Sequence, residues 1–548
     1  MEVHPVPDWR TIPRMLRDRA SRHGDAEVVV SGDTALTLAD LARRAGEVAR
    51  ALIALGVEPG DRVAVWAPNT PDWVVAAYGI WDAGAIVTPL STRFKGIEAA
   101  GTLRRAGAKV LLVAEGFEGV SYLDVLAEER DSLPELRHVV VLGGPAPAAD
   151  ATGWEEFLAA GGAVPAEAAE ERALGVGPDD LAEIMSTSGT TGTPKGVMLH
   201  HEQLLRGYWD WAELVTLREG DRYPIIAPFS HGFGLNAGLL ACVMRRATMI
   251  PVARFVPDAL MDLIEERRVS VLAGAPPMFF RILQELDGPA PREVSSLRVA
   301  ICGAAAVPPD LIRRLVGRVG LDRVVNAYGL MEGTVVSMTR PEDPVEVIAG
   351  STGRAVPGVR LRIVDDRGRD LPPGERGEIL VGGYGVMRGY WRDPVRTAEA
   401  VDAEGWLHTG DIGSLDEAGN LSIVDRKKEM FIVSGFNAYP AEIEGLLLRC
   451  PLVAQAAVIG VPDERRGEVG LAYVVPAPGS GATPEAVISW AEENMSDYKV
   501  PRRVVLVDTL PVNPNGKVDK PALHARAAAE AARDRGRNRT GNSSTSRG

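Results

Sequence analysis

Through the first half of the chain, short apolar runs alternate with segments of helical periodicity. "RVAVWAP" (Arg62 to Pro68) is an apolar run bounded by turn chemistry, the pattern of a strand buried on both faces. "PDWVVAAYGIWDAG" (Pro71 to Gly84) opens on proline and closes on glycine, which predicts a helix. "AIVTPL", "AKVLLVA" and "HVVVLGG" are further strands, and Leu297 to Gly329 reads as strand, loop, helix, strand. Buried strands alternating with helices predict largely parallel sheets. Beyond Pro341 the pattern changes. "VRLRIVDDRGRDLPPGERGEILVGG" (Val359 to Gly383) alternates apolar and polar positions around D-R-G and P-P-G turns, as antiparallel hairpins do. From Asp425 a smaller unit begins, with "VAQAAVIGVPD" and "RRVVLVDTLP" as strands and "TPEAVISWAEENM" as a helix. The end, from Ala525, has little to bury and is expected to be disordered. The predicted fold class is α/β: mostly parallel sheets flanked by helices, followed by antiparallel hairpins, a small α+β unit and a tail over 525–548.

With 548 residues the chain exceeds one hydrophobic core, consistent with that division. A net charge of −14 opposes general affinity for nucleic acid or anionic membrane. No apolar run is long enough to span a bilayer, and the start lacks a signal-peptide core, so a cytoplasmic protein is expected. Cys242, Cys302 and Cys450 are far apart and form no C-x-x-C pair, so they read as small buried hydrophobes. "HHEQLL" lacks the second histidine of a zinc helix.

One stretch carries chemistry. "MSTSGTTGTPKGVML" (Met185 to Leu199) packs hydroxyls around glycines and adds Lys195. Glycines let backbone N–H groups turn toward an anion, hydroxyls donate further bonds and lysine adds charge, so the stretch suits a loop that wraps phosphates, with a linker or a hairpin turn as the alternative. It is not the P-loop, because Pro194 precedes Lys195 and Gly196 follows it.

The stretch resembles the signature of the adenylate-forming superfamily: acyl-CoA synthetases, adenylation domains of peptide synthetases and beetle-type luciferases. Other family motifs follow in family order, and the resemblance covers roughly Trp9 to Leu523. "CGAAAVP" (Cys302 to Pro308), "NAYGLMEGT" (Asn326 to Thr334), "WLHTGDIG" (Trp406 to Gly413), "DRKKEMFIVSGFNAYPAEIE" (Asp425 to Glu444) and "NPNGKVDK" (Asn513 to Lys520) carry it.

The resemblance implies roles. Thr187, Ser188, Gly189, Thr190, Thr191, Gly192 and Lys195 would hold phosphates. Gly303, Ala304, Ala305, Asn326, Ala327, Tyr328, Gly329 and Met331 would line the nucleotide site, with Tyr328 stacked on adenine. Asp411 and Arg426 would bind the ribose. Glu332 would hold Mg²⁺, with Thr187 as a second metal-site residue. Lys517 would be catalytic, and Lys428 would sit in a hinge over 425–428, between a large domain over 1–424 that includes a small β-barrel-like subdomain and a small α+β domain over 429–524. The acyl pocket would include His231, Phe233, Gly234, Gly303 and Leu330. Ser434, Gly435 and Phe436 would form part of a pantetheine tunnel. One position departs from the family: Met331 stands where a threonine usually offers a hydroxyl to the α-phosphate. Methionine cannot donate that bond, so either a neighbour such as Thr334 or Thr187 supplies it or adenylation is slowed.

The implied reaction joins a carboxylic acid to ATP, giving acyl-AMP and pyrophosphate. A thiol then displaces AMP. Two anions must meet in the first step, so positive charge is required there. The family rotates its small domain between the half-reactions. ATP, Mg²⁺ and coenzyme A are the implied cosubstrates and cofactor. "PFSHGFGLNAG" (Pro228 to Gly238) lacks the acid that grips an α-amine in amino-acid-activating relatives, so a fatty, aryl or steroid-derived acid is expected. Within the family the resemblance is strongest to actinobacterial fatty-acid-type CoA ligases, in particular those acting on the two-ring propanoate of late steroid breakdown. An acyl-AMP ligase loading a carrier protein, or a non-catalytic nucleotide- or acyl-binding homologue, is the alternative. Oligomeric state is left open, a homodimer included.

Overall fold

The computed structural model describes residues 4–147, 150–187, 194–274, 276–288, 292–303, 307, 309–426, 430–511 and 518–541. The chain divides into two compact units. One comprises Met1–Thr187 with Lys195–Lys427, the other Ser188–Pro194 with Lys428–Gly548.

The larger unit contains four sheets. In the first, Thr152–Gly153, His138–Val141, Val110–Val113, Arg62–Trp66, Ile86–Leu90 and Leu181–Thr187 lie side by side and parallel. Lys195–His200 closes its edge as an antiparallel partner of Leu181–Thr187. In the second, Val271–Gly274, Val299–Cys302 and Arg323–Leu330 are parallel, and Thr334–Met338 and Arg354–Ala355 continue antiparallel. A third joins Arg222–Ile225, Thr248–Pro251, Glu27–Ser31 and Thr34–Thr37. The fourth is wholly antiparallel: Val359–Val364, Gly377–Gly383, Leu407–Leu415 and Leu421–Arg426.

The helix Pro71–Asp82 shows why these residues pack as they do. Thr70 caps it by accepting from the Trp73 amide at 3.2 Å, and Pro71 starts it without an orphaned N–H. Trp73, Val74, Ala77, Tyr78 and Trp81 are all fully buried, so the helix is apolar all round and sits inside the unit. Gly79 makes the crossing possible: a Cβ there would lie 2.5 Å from Val48. Cys242, Cys302 and Cys450 are buried free thiols.

In the smaller unit Phe436–Ala438, Phe431–Val433, Gly467–Pro476 and Val453–Asp463 form an antiparallel sheet, and Arg503–Leu506 pairs parallel with Gly467–Pro476. A buried ion pair, Lys499 to Glu442 at 2.8 Å, lies inside this unit. One expectation is corrected. The chain does not lose structure at Ala525: a helix runs Lys520–Gly541. Alanine favours helix intrinsically, and Leu523 and Ala527 bury themselves against Ala457, Ile459, Leu471 and Tyr473.

Candidate active site

The second sheet shows where a ligand belongs. Gly274, Cys302 and Asn326 are in register at the carboxyl ends of three parallel strands, the end at which open α/β sheets bind ligands. Gly303 follows at once, and a Cβ there would come 3.4 Å from the Ala327 carbonyl oxygen. From Asn326 the strand runs on through Tyr328 into a hairpin. A register shift falls between Tyr328 and Gly329, and Met331, Glu332 and Gly333 form the turn before Thr334. Such a bulge re-aims side chains beside a site. Gly329 is exposed, and Ala327, Leu330, Met331 and Glu332 are part-exposed, so this hairpin presents its tip to solvent.

Glu332 is not alone there. The Tyr390 hydroxyl donates to its Oε1 at 2.9 Å, and the Lys195 ammonium lies 4.3 Å above the Tyr390 ring centroid. Tyr390 therefore joins the acid of one sheet to the lysine of the other. Its backbone is pinned to the edge strand: Trp391 N–H donates to Gly196 O at 2.7 Å and Met198 N–H to Gly389 O at 3.0 Å. Thr187 and Lys195 are register partners at the base of the hairpin whose loop the sequence marks as phosphate-binding. Ser188, Gly189, Thr190, Thr191 and Gly192 of that loop lie outside the described residues, as do Ala304, Ala305, Lys428, Lys517 and the side chain of Arg426.

The two residues expected at adenine and ribose meet directly. Tyr328 O–H donates to Asp411 Oδ2 at 2.5 Å, and both residues are buried. Asp411 and Arg426 are backbone register partners on adjacent antiparallel strands. Asn326 differs from expectation. Its side-chain amide donates to the carbonyls of Ile348 at 3.2 Å and Ser351 at 2.9 Å, so those donors brace the wall instead of facing a nucleotide. Thr334, one of the two neighbours named as a substitute for the hydroxyl missing at Met331, is enclosed: it is 5% exposed, with its Oγ1 beside Gly207 and Gly385. Thr187 is the remaining expected donor.

His231, Phe233 and Gly234 form one short turn. The Phe233 amide donates to His231 Nδ1 at 3.1 Å, capping Gly232–Gly234. His231 is exposed, and desolvation by the neighbouring protein pushes its pKa below the ordinary value. Gly234 cannot be larger, because a Cβ would lie 2.2 Å from the Pro228 carbonyl oxygen. The Met331 side chain leans to the same wall: a Cβ on Gly232 would lie 3.1 Å from its sulfur. The methionine thus adds apolar surface beside the His231 to Gly234 turn.

In the smaller unit, Ser434 and Gly435 both have positive φ, 51° and 86°, between strands Phe431–Val433 and Phe436–Ala438. That is the two-residue turn that suits a twisted hairpin. Phe436 stacks on Tyr498, centroids 5.1 Å apart. Sequence reasoning missed Tyr390 and Tyr498. Nothing local in "RGYWRD" or "SDYKVP" distinguishes either from an ordinary aromatic.

A divalent cation fits this arrangement in one way. Among the described residues no group of three His, Cys, Asp or Glu side chains could enclose one. Glu332 offers one carboxylate, which suits an ion that takes its remaining ligands from substrate phosphates and water.

Comparison with known proteins agrees with this layout. The family model described as AMP-binding enzyme matches residues 16–391, and that for the AMP-binding enzyme C-terminal domain matches 442–517. The chain is 47% identical over 522 residues to the 3-[(3aS,4S,7aS)-7a-methyl-1,5-dioxo-octahydro-1H-inden-4-yl]propanoyl:CoA ligase of Mycobacterium tuberculosis, covering 94% of this chain and 99% of that one. It is 44% identical over 515 residues to the ligase of the same description from Rhodococcus jostii, covering 94% and 98%. Among solved structures, the amide bond synthetase McbA from Marinactinospora thermotolerans superposes with a TM-score of 0.80 at 30% identity, over 94% of this chain and 99% of that one. The chain belongs to the AMP-binding enzyme family and, within it, to the acid–thiol ligases that make acyl-CoA from an acid, ATP and CoA.

Proposed function

We propose that the acid is a compact alicyclic propanoate of the kind named for the two relatives, activated with Mg²⁺. The observation that carries this reading is the wall itself. The pKa of His231 is held below the ordinary value, Met331 replaces a hydroxyl with a thioether, and Gly232 and Gly234 keep the turn free of side-chain bulk. The Pro228 to Gly238 stretch holds no carboxylate to grip an α-amine. Such a wall suits a bulky apolar body and lacks a handle for an amino acid.

The chain's own residues then divide the work. Glu332, aimed by Tyr390, holds the cation, which neutralises phosphate charge when bound. Lys195 and Thr187 grip phosphates from the edge hairpin, and Asp411 accepts from the ribose. Lys517 offsets the charge of the incoming carboxylate. Ser434, Gly435 and Phe436 accommodate the thiol arm. Among the described residues no helix is long and apolar enough to cross a membrane, and the cosubstrates ATP and CoA suit a cytoplasmic enzyme.

The test is pyrophosphate release over a panel of fatty, aryl and alicyclic propanoic acids, with and without CoA and with Mg²⁺ varied. Highest kcat/KM on alicyclic propanoates, with CoA needed for sustained turnover, is the expected result. Preference for straight-chain fatty acids would overturn the substrate reading. Turnover on a carrier protein but not CoA would overturn the acceptor.

A further inference from the structure

Glu183 lies in the strand that ends at Thr187, and both it and Asn236 are 0% exposed. Asn236 Nδ2 donates to Glu183 Oε2 at 3.0 Å. Two polar atoms are left over, Glu183 Oε1 and Asn236 Oδ1, and each is buried with no hydrogen-bond partner among the described residues. They are the remaining polar atoms of the two planar side-chain groups that this bond joins. An ionised carboxylate only accepts, so it leaves Asn236 Oδ1 unanswered and places an unpaired charge in the core. A single proton on Glu183 Oε1 turns that atom into a donor, and both orphans are then satisfied together.

The surroundings agree. Glu183 is in register with Val87 on one neighbouring strand and Leu199 on the other, both apolar. Tyr208, from the helix His201–Leu214, is the one ionisable group among the described residues whose charge is coupled to Glu183. It is itself buried, and burial and the glutamate hold its pKa above the ordinary phenol value. Among the described residues no Lys, Arg or His offsets a negative charge there. Burial pushes Glu183 up to about 8, against the pull of the Asn236 bond.

Asn236 sits in Leu235–Leu240, a π-helical stretch, immediately after the turn that bears His231, Phe233 and Gly234. Wide turns of this kind recur at functional sites. We propose that Glu183 is held as a neutral acid, doubly hydrogen-bonded to Asn236, and that this pair is a positioning device fixing the acyl-wall turn to the strand that carries Thr187. The proposal goes beyond the substrate reading and does not depend on which acid is used.

Its sign with pH follows from linkage. The native chain keeps a proton that the unfolded chain releases at the ordinary value of 4.5, so stability falls as pH rises from there to about 8 and then levels off. Glu183→Gln supplies the same donor and acceptor without a titrating proton.

The experiment compares thermal unfolding of the full chain and of Glu183→Gln across that range, with infrared spectra at neutral pH. The expected result is a melting temperature of the native chain that falls relative to Glu183→Gln up to about pH 8 and runs parallel above it. The carbonyl band of a protonated carboxyl group, present in the native chain, should be lost in the variant, which keeps the native rate of pyrophosphate release. Asn236→Leu should raise KM for the acid about tenfold and leave KM for ATP unchanged, since one lost partner strands a buried polar group. A melting-temperature difference independent of pH, or no protonated-carboxyl band, would overturn the neutral-acid assignment. Equal rises in both KM values would overturn the positioning role. The unfolding and infrared readouts need no substrate, so they stand whatever the outcome of the acid panel.

Discussion

Replacing Tyr390 by phenylalanine removes one hydroxyl and keeps the ring under Lys195. In the native chain that hydroxyl donates to Glu332 Oε1 at 2.9 Å, and Tyr390 is only 5% exposed. A hydrogen bond to a charged group contributes about 1.5–3 kcal/mol, or roughly 10- to 150-fold in an equilibrium or rate. Glu332 is part-exposed, so water replaces some of the lost bond and the lower end applies, about 10- to 30-fold. The backbone of Tyr390 is held by its bridge to Val197 and by the Thr397 hydroxyl, which accepts from its amide at 2.9 Å. The fold should therefore survive. The assay is single-turnover pyrophosphate release at saturating ATP and acid, with Mg²⁺ titrated. Tyr390→Phe should need more Mg²⁺ for half-maximal rate and release pyrophosphate about tenfold more slowly, with ATP affinity little changed. A rate and Mg²⁺ requirement within about twofold of native would refute the claim that Tyr390 aims Glu332, since even the weakest charged hydrogen bond contributes more than that.

Two further substitutions bear on parts of the chain away from this contact. Lys499→Met removes the ammonium that pairs with the buried Glu442 carboxylate, whose side chain is 4% exposed, and should destabilise the small unit by about 3–5 kcal/mol in urea unfolding of the full chain. Adding Glu442→Gln should recover part of the loss, and a cost under about 1 kcal/mol for the single variant would mean the pair contributes little. Met331→Thr restores a hydroxyl at the hairpin tip and should speed acyl-AMP formation by about tenfold or more, as measured by pyrophosphate release without CoA. An unchanged or slower rate would mean that Thr187 or the phosphate loop already supplies the donor.

Much of the candidate site was legible because its chemistry is local. Cys302 to Gly303 was readable as a strand end because the apolar run stops there. The Ala525 boundary was misread because composition alone ignores what a helix can lean on. Leu523 and Ala527 have a sheet beneath them, and the helix continues past them. The Asn326 side chain was expected to face a nucleotide because its motif does. Its partners, the Ile348 and Ser351 carbonyls, come from a helix whose path the motif does not encode.

The amino-acid order by itself determined which segments alternate, which turn, and which carry clustered hydroxyls, glycines, lysines and carboxylates, since periodicity and turn chemistry act over a few residues. Only the tertiary structure decided which of those side chains meet. Glu332 finds Tyr390, Tyr328 finds Asp411, and Glu183 finds Asn236 through sheet register and helix packing, across long stretches of chain. A hydrogen bond tolerates only a few tenths of an ångström. The packing of whole elements sets a distance that fine, and no local pattern reports it.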